Sequence, residues 1–211
     1  MAEGARLGFV VVTSTNSPDW ARRFAERLAQ LGVEFLDAPV TGGQKGAVEG
    51  TLTVMVGGRE ETFQRLLPVF KAFGKNIMYV GPVGYGHAMK LVNQVVVVAL
   101  NTVAMVEGLR LAKALGLDME KVAQVLSLGA ARSGSIELYL PKLLKGDLSP
   151  GFKAVHLKKD LAYAVGRRIG GVYFCPPPRS SWSCIRRWWR RASGSWGSTR
   201  WVRCIKCRSR G

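Results

Sequence analysis

Residues 1–160 contain no cysteine, and all four cysteines lie beyond residue 174. A disulfide framework and a thiolate metal site are thereby excluded from three quarters of the chain, which agrees with a reducing, cytoplasmic setting. Histidine is scarce too: His87 and His156 stand alone, without a neighbouring acid or cysteine cluster. Neither a metal centre nor His-assisted nucleophilic catalysis is expected. No uninterrupted apolar run reaches the ~20 residues of a membrane span. The longest, Leu91 to Val106, is broken by Asn93, Gln94 and Asn101. The N-terminus lacks the basic region and apolar core of a secretory signal, and no internal repeat occurs. Acids are missing from Leu161 to Gly211, where there are twelve Lys/Arg. That leaves 19 bases and 14 acids in residues 1–160, so most of the net charge of +17 belongs to the tail.

What is present begins with FVVV, Phe9 to Val12, a short buried strand. Ser17 is a candidate N-cap and Pro18 suits the first helical position. Phe24, Leu28 and Leu31 recur at helical spacing before Gly32 stops the helix. Val33 to Leu36 and Thr51 to Val56 read as strands, Glu60 to Phe73 as an amphipathic helix, and Ile77 to Val80 as a fourth strand. The order, strand–helix–strand–strand–helix–strand, is that of the back half of an open α/β sheet. After Gly86 the pattern is helical only. His87 to Leu115 is apolar on most faces and is expected to be buried in a larger helical body. Asp118 caps a helix to about Leu128, and Ser135 to Leu144 and Phe152 to about Val165 follow. The expected boundary lies near Pro82 to Gly86.

Lys90 follows the glycine-rich turn GPVGYGHAMK and precedes two amides, Asn93 and Gln94, one helical turn on. Asn101 is expected on the same side. A lysine desolvated among neutral amides has a depressed pKa, which suits proton transfer near neutrality; the alternative is a solvated lysine at a helix end. Thr41-Gly42-Gly43 can converge backbone N–H groups on an anion such as a carboxylate, or can be a plain loop. Thr15, at the end of the first strand, faces the ligand crevice of an open sheet, or closes a turn. Lys159-Asp160 reads, on its own, as a solvated helix face.

Two strings carry more than their parts: DAPVTGGQKGAVEGTLTVMVGG (Asp37 to Gly58) and GPVGYGHAMKLVNQ (Gly81 to Gln94). With TSTNSP and FKAVHLKKDLAYA, they resemble the β-hydroxyacid dehydrogenase family, which includes 3-hydroxyisobutyrate dehydrogenase and tartronate semialdehyde reductase and is 6-phosphogluconate dehydrogenase-like. The resemblance covers roughly Val10 to Val165. It implies an α/β fold: the second half of a Rossmann-like dinucleotide-binding domain (1–81), followed by an all-α domain (82–166). It implies an oxidoreductase that moves hydride between NAD or NADP and a small hydroxy acid, with Lys90 as general acid/base. Thr41, Gly42, Gly43, Asn93 and Gln94 are implied to bind substrate, and Thr15 and Lys159 to contact the cofactor. A homo-oligomer is implied as well.

The sequence departs from this pattern at both ends. There is no GxGxxG turn to cradle a pyrophosphate; Gly84-Tyr85-Gly86 has Met89 where a third glycine would stand. The expectation is a fold incomplete at both ends. Residues 167–211, rich in Arg, Trp, Cys, Ser, Gly and Pro, read as out-of-frame translation or as a genuine cationic tail. In the second case Trp188-Trp189 among Arg186, Arg187, Arg190 and Arg191 would stack on bases while the arginines neutralise phosphates, giving a non-catalytic nucleic-acid- or partner-binding protein. Cys204-Ile205-Lys206-Cys207 is a lone CxxC, and zinc needs a second pair.

Overall fold

The computed structural model describes residues 8–149 and 151–165. The basic tail, its tryptophans and the CxxC pair lie outside the described residues. Contacts divide the chain into two units, Met1–Ala164 and Val165–Gly211.

The first unit opens with β1 (Phe9–Val12), α1 (Pro18–Ala29) and β2 (Glu34–Asp37), a strand–helix–strand unit in which β1 and β2 pair in parallel. Ser17 Oγ accepts from Trp20 N at 3.2 Å and Pro18 occupies the first turn, so the helix begins where the sequence places it. β3 (Val40–Thr41), the short α2 (Gly43–Val48), β4 (Leu52–Gly57), α3 (Glu60–Lys71) and β5 (Gly74–Gly81) follow. β4 pairs in parallel with β5 and antiparallel with both β2 and β3.

The partners Asp37↔Gly57, Val40↔Val54 and Thr41↔Thr53 keep one register. β2 and β3 are therefore one strand interrupted at Ala38-Pro39. Proline has no N–H for the ladder, while its carbonyl still accepts from Met55 N at 3.0 Å. The sheet is mixed, and β3 and α2 were not legible in the sequence. Leu36, Val54 and Val56 of the sheet pack on Phe63, Leu66 and Phe70 of α3. Trp20 and Phe24 of α1 pack around Phe35 of β2.

The helical part comprises α4 (Tyr85–Asn93), a π-helical segment (Gln94–Asn101), α5 (Thr102–Ala114), α6 (Met119–Leu128), α7 (Gly134–Leu144) and α8 (Ala154–Val165). The sequence predicts one unbroken α-helix over His87–Leu115. Instead the helix widens at its centre, where Ser135 Oγ donates to Val97 O at 2.8 Å and competes with the main-chain ladder. Met105, Ile136 and Leu140 form a second core.

The expectation that the long helix is buried does not hold. Tyr85, Met89, Val92, Val96, Leu100 and Val103 form an exposed apolar stripe, with Val92 at 59% exposure. The described helices cover the opposite side only. Counted as one helix, Tyr85–Ala114 has 30 residues and includes an 18-residue stretch of mean hydropathy 1.7, long and apolar enough to cross a membrane by length and composition alone. It also carries buried Lys90 and Gln94, which are tied into the site described next.

Candidate active site

Asp37, at the end of β2, is fully buried and seats the start of α4. Its Oδ1 accepts from Gly84 N at 2.7 Å and its Oδ2 from His87 N at 2.8 Å. These are N–H groups that a helix start leaves without partners. Burial raises the carboxyl to about pH 6, against the lowering effect of those same bonds. The approach is close because glycine allows it. A Cβ on Gly57 would lie 2.7 Å from both Asp37 Oδ1 and Gly86 N, and one on Gly86 would lie 2.6 Å from Met55 O. Two strands and a helix thus meet at three residues.

One turn along α4, Lys90 is 6% exposed. Burial lowers its pKa to about 8; Asp160 partly offsets this and Lys159 reinforces it. The amides beyond it are ordered. Asn93 Nδ2 donates to Thr41 Oγ1 at 3.3 Å and to Gln94 Oε1 at 3.1 Å. Gln94, 2% exposed, donates from Nε2 to Asp160 Oδ2 at 2.7 Å. Asn101, at the end of the π segment, forms no hydrogen bond to this cluster among the described residues.

Thr41 ends β3, and Gly42 and Gly43 open α2 with φ of 130° and 64°. Positive φ at two successive positions is backbone that only glycine adopts without strain. The Asn93–Thr41 bond fixes this loop to the Lys90 helix.

Thr15 and Lys159, 144 residues apart, are neighbours. Lys159 Nζ donates to the Thr15 main-chain oxygen at 2.7 Å, so the carbonyl rather than the hydroxyl of Thr15 is engaged. Lys159 also lies over the Tyr163 ring, 5.7 Å from its centroid. Asp160 is not on a solvated face: it is 1% exposed. Lys159 Nζ stands 3.3 Å from its Oδ1, a close ion pair without an aligned hydrogen bond.

Sequence reasoning missed three residues: Asp37, Asp160 and His87. His87 is fully buried, neither ring nitrogen has a hydrogen-bond partner among the described residues, and burial together with the Lys159 charge lowers its pKa to about 4. It is a neutral imidazole on the Lys90 face. Among the described residues no three His, Cys, Asp or Glu side chains converge to hold a metal. A cavity of about 390 Å³ lies on the flank of α1, lined by Ala25, Ala29, Phe35 and Arg59 among others, and includes none of the residues above.

Beyond the end of β1, the Thr15 main chain and the Lys159 ammonium form a polar, positively charged edge, chemistry that suits the anionic part of a dinucleotide. No described turn has the GxGxxG pattern that would take a diphosphate.

Residues 2–81 match the family described as the NAD binding domain of 6-phosphogluconate dehydrogenase. Residues 84–170 match the NAD-binding region of NADP-dependent 3-hydroxyisobutyrate dehydrogenase. The chain is 44% identical over 156 residues to 2-hydroxy-3-oxopropionate reductase of Escherichia coli (strain K12), covering 74% of this chain and 53% of that one. It is 36% identical over 162 residues to 2-(hydroxymethyl)glutarate dehydrogenase of Eubacterium barkeri, covering 76% and 54%. Among solved structures it resembles Mycobacterium tuberculosis 3-hydroxyisobutyrate dehydrogenase with L-serine, at TM-score 0.71 and 29% identity, covering 90% of this chain and 67% of that one. The chain thus spans about half the length of the curated relatives it matches. With a buried lysine, an ordered amide pair and a glycine loop at the positions those strings predict, and with relatives named as reductases and dehydrogenases, the chain belongs to the β-hydroxyacid dehydrogenase family.

Proposed function

We propose that this site serves hydride transfer between NAD or NADP and a small β-hydroxy acid or its semialdehyde, with Lys90 as general acid/base. The observation that carries the reading is the buried, pKa-lowered Lys90 one turn before an amide pair that is bonded to the Thr41 loop. The cofactor, when bound, supplies the hydride acceptor or donor. Thr41, Gly42 and Gly43 receive the substrate carboxylate through main-chain N–H groups. Asn93 and Gln94 hold the substrate hydroxyl near Lys90. Neutral Lys90 takes the hydroxyl proton in oxidation, and its ammonium returns it in reduction. The ammonium also stabilises a developing alkoxide. Thr15 and Lys159 line the cofactor side.

The reading extends to the assembly. The exposed stripe on the long helix favours a homo-oligomer, since apolar surface of this kind is covered when a partner docks. Residues 1–81 would act as the dinucleotide-binding part and 82–166 as the helical part. The lack of cysteine in residues 1–160 favours a cytoplasmic setting.

The test is a titration of the purified chain with NADH and with NADPH, following energy transfer from tryptophan to nicotinamide. Saturable binding, followed by turnover of a hydroxy acid that Lys90→Ala abolishes, supports the assignment. No binding by a chain shown to be folded defeats it for this chain.

A further inference from the structure

We propose that Asp160 is a positioning residue for this site: through Gln94 and Asn93 it sets the direction of a hydrogen-bond relay that ends on Thr41, and through space it sets the charge balance at Lys90. The inference rests on the dehydrogenase reading for its use, but its geometry is independent of it.

The argument starts from what a carboxylate can do. Ionised, it only accepts. Asp160 Oδ2, buried and 2.7 Å from the Gln94 side chain, therefore requires the Gln94 Nε2 end to face it. Gln94 Oε1 must then point the other way, and it meets Asn93 Nδ2 at 3.1 Å. That fixes the Asn93 amide in turn, and Asn93 Nδ2 also donates to Thr41 Oγ1 at 3.3 Å. Every bond in the relay has a defined donor. At its end the Thr41 hydroxyl has a lone pair occupied, so its own hydrogen is directed elsewhere, as a donor for an anion. Asp160 is thus at the far end of a chain running from α8, through α4, to the loop before α2. An amide in place of the carboxylate could present either end to Gln94, and the relay would lose its direction.

The second effect is electrostatic. Lys90 has three charged or titratable groups facing it: Asp160 and Lys159 from α8, and His87 from its own helix, held neutral by burial. Asp160 is the one anion among them. It supports the ammonium form against burial, while Lys159 opposes it. Removing the Asp160 charge therefore moves the Lys90 midpoint further down.

The experiment uses the full chain and needs neither cofactor nor turnover. The side-chain NH₂ resonances of Gln94 and Asn93 are assigned by ¹⁵N NMR, and the Lys90 ammonium is titrated through its ¹³Cε shift. In Asp160→Asn both amide pairs should shift, and the Lys90 midpoint should fall by ~1 pH unit, the scale of one nearby opposite charge. Asp160→Glu, which keeps the charge, should leave that midpoint close to the parent's. A folded Asp160→Asn with unmoved Asn93 resonances, or an unmoved Lys90 midpoint, overturns the proposal. Should Asp160→Asn not fold, Gln94→Ala decides the relay: it cuts the link but keeps the carboxylate. The Asn93 amide should then shift while the Lys90 midpoint stays, and an unmoved Asn93 amide overturns the relay. Absence of NADH binding would defeat the dehydrogenase reading while leaving these readouts intact, so the two ideas fail separately.

Discussion

Residues 8–81 gather Leu36, Val54 and Val56 of the sheet against Phe63, Leu66 and Phe70 of α3, none more than 6% exposed. Residues 85–165 gather Met105, Ile136 and Leu140 and leave Val92, Val96, Leu111, Val125 and Leu128 at the surface, the last at 87% exposure. α6 buries no residue at all. The α/β part closes its own core; the helical part presents apolar surface outward. The proposed chemistry sits where they join, on the first three turns of the helix that leaves the sheet. The role proposed for Lys90 needs a desolvated, fixed setting, and the closed half provides the fixed end of its helix.

The largest expected effect tests the junction. Lys90→Ala should reduce hydroxy-acid turnover by ~10²–10⁴-fold, the usual contribution of a positioned proton-transfer group, in steady-state kinetics with the circular dichroism spectrum unchanged. Full turnover would remove Lys90 from its role. Next come the two cores. Phe70→Ala should cost about 3–5 kcal/mol by urea unfolding. Leu140→Ala should cost less, near the low end of the roughly 2–5 kcal/mol of a leucine truncation, because the helical core can relax toward solvent. Equal losses would erase the contrast between the halves.

Asp37 gives the pH signature. Its folded pKa is raised from 3.8 to about 6, so the folded state holds the proton more tightly than the unfolded state. That stability is fully present below about pH 4 and is lost as pH rises through about 6, with a span of roughly 3 kcal/mol. Urea unfolding at pH 4 and pH 7 should show this component in the parent and not in Asp37→Asn. The smallest effect on stability belongs to the stripe. Val92→Gln with Val103→Gln should change the folding free energy by no more than about 0.5 kcal/mol, yet should reduce the sedimentation mass if the stripe is an interface between copies. An unchanged oligomer would place the interface elsewhere.

Local signals were legible and long-range ones were not. Ser17-Pro18 and Asp118 announced helix starts because a cap is written within four residues. Gly42-Gly43 announced a loop because left-handed backbone selects glycine. β3 escaped notice because two residues after a proline show no periodicity. The π segment escaped because its cause, the Ser135 hydroxyl on Val97 O, joins positions 38 apart. Lys159-Asp160 looked like a solvated pair because the partner that buries Asp160, Gln94, lies 66 residues earlier. Lys90 could be singled out from its glycine turn and following amides; the carboxylates that seat its helix and face it could not.

The two bonds to Asp37 span 47 and 50 residues, which has a consequence for synthesis on the ribosome. At ~5–20 residues per second, the Asp37 side chain waits roughly 2–10 s after its own emergence before Gly84 and His87 follow. Through that interval it is an ordinary hydrated carboxylate at the end of an unfinished strand. The socket formed by Gly57 and Gly86 has no room for anything but the incoming helix start. Asp37 can therefore take its two N–H partners, and Lys90 can lose its water, only after the nascent chain has delivered the helix start to that gap.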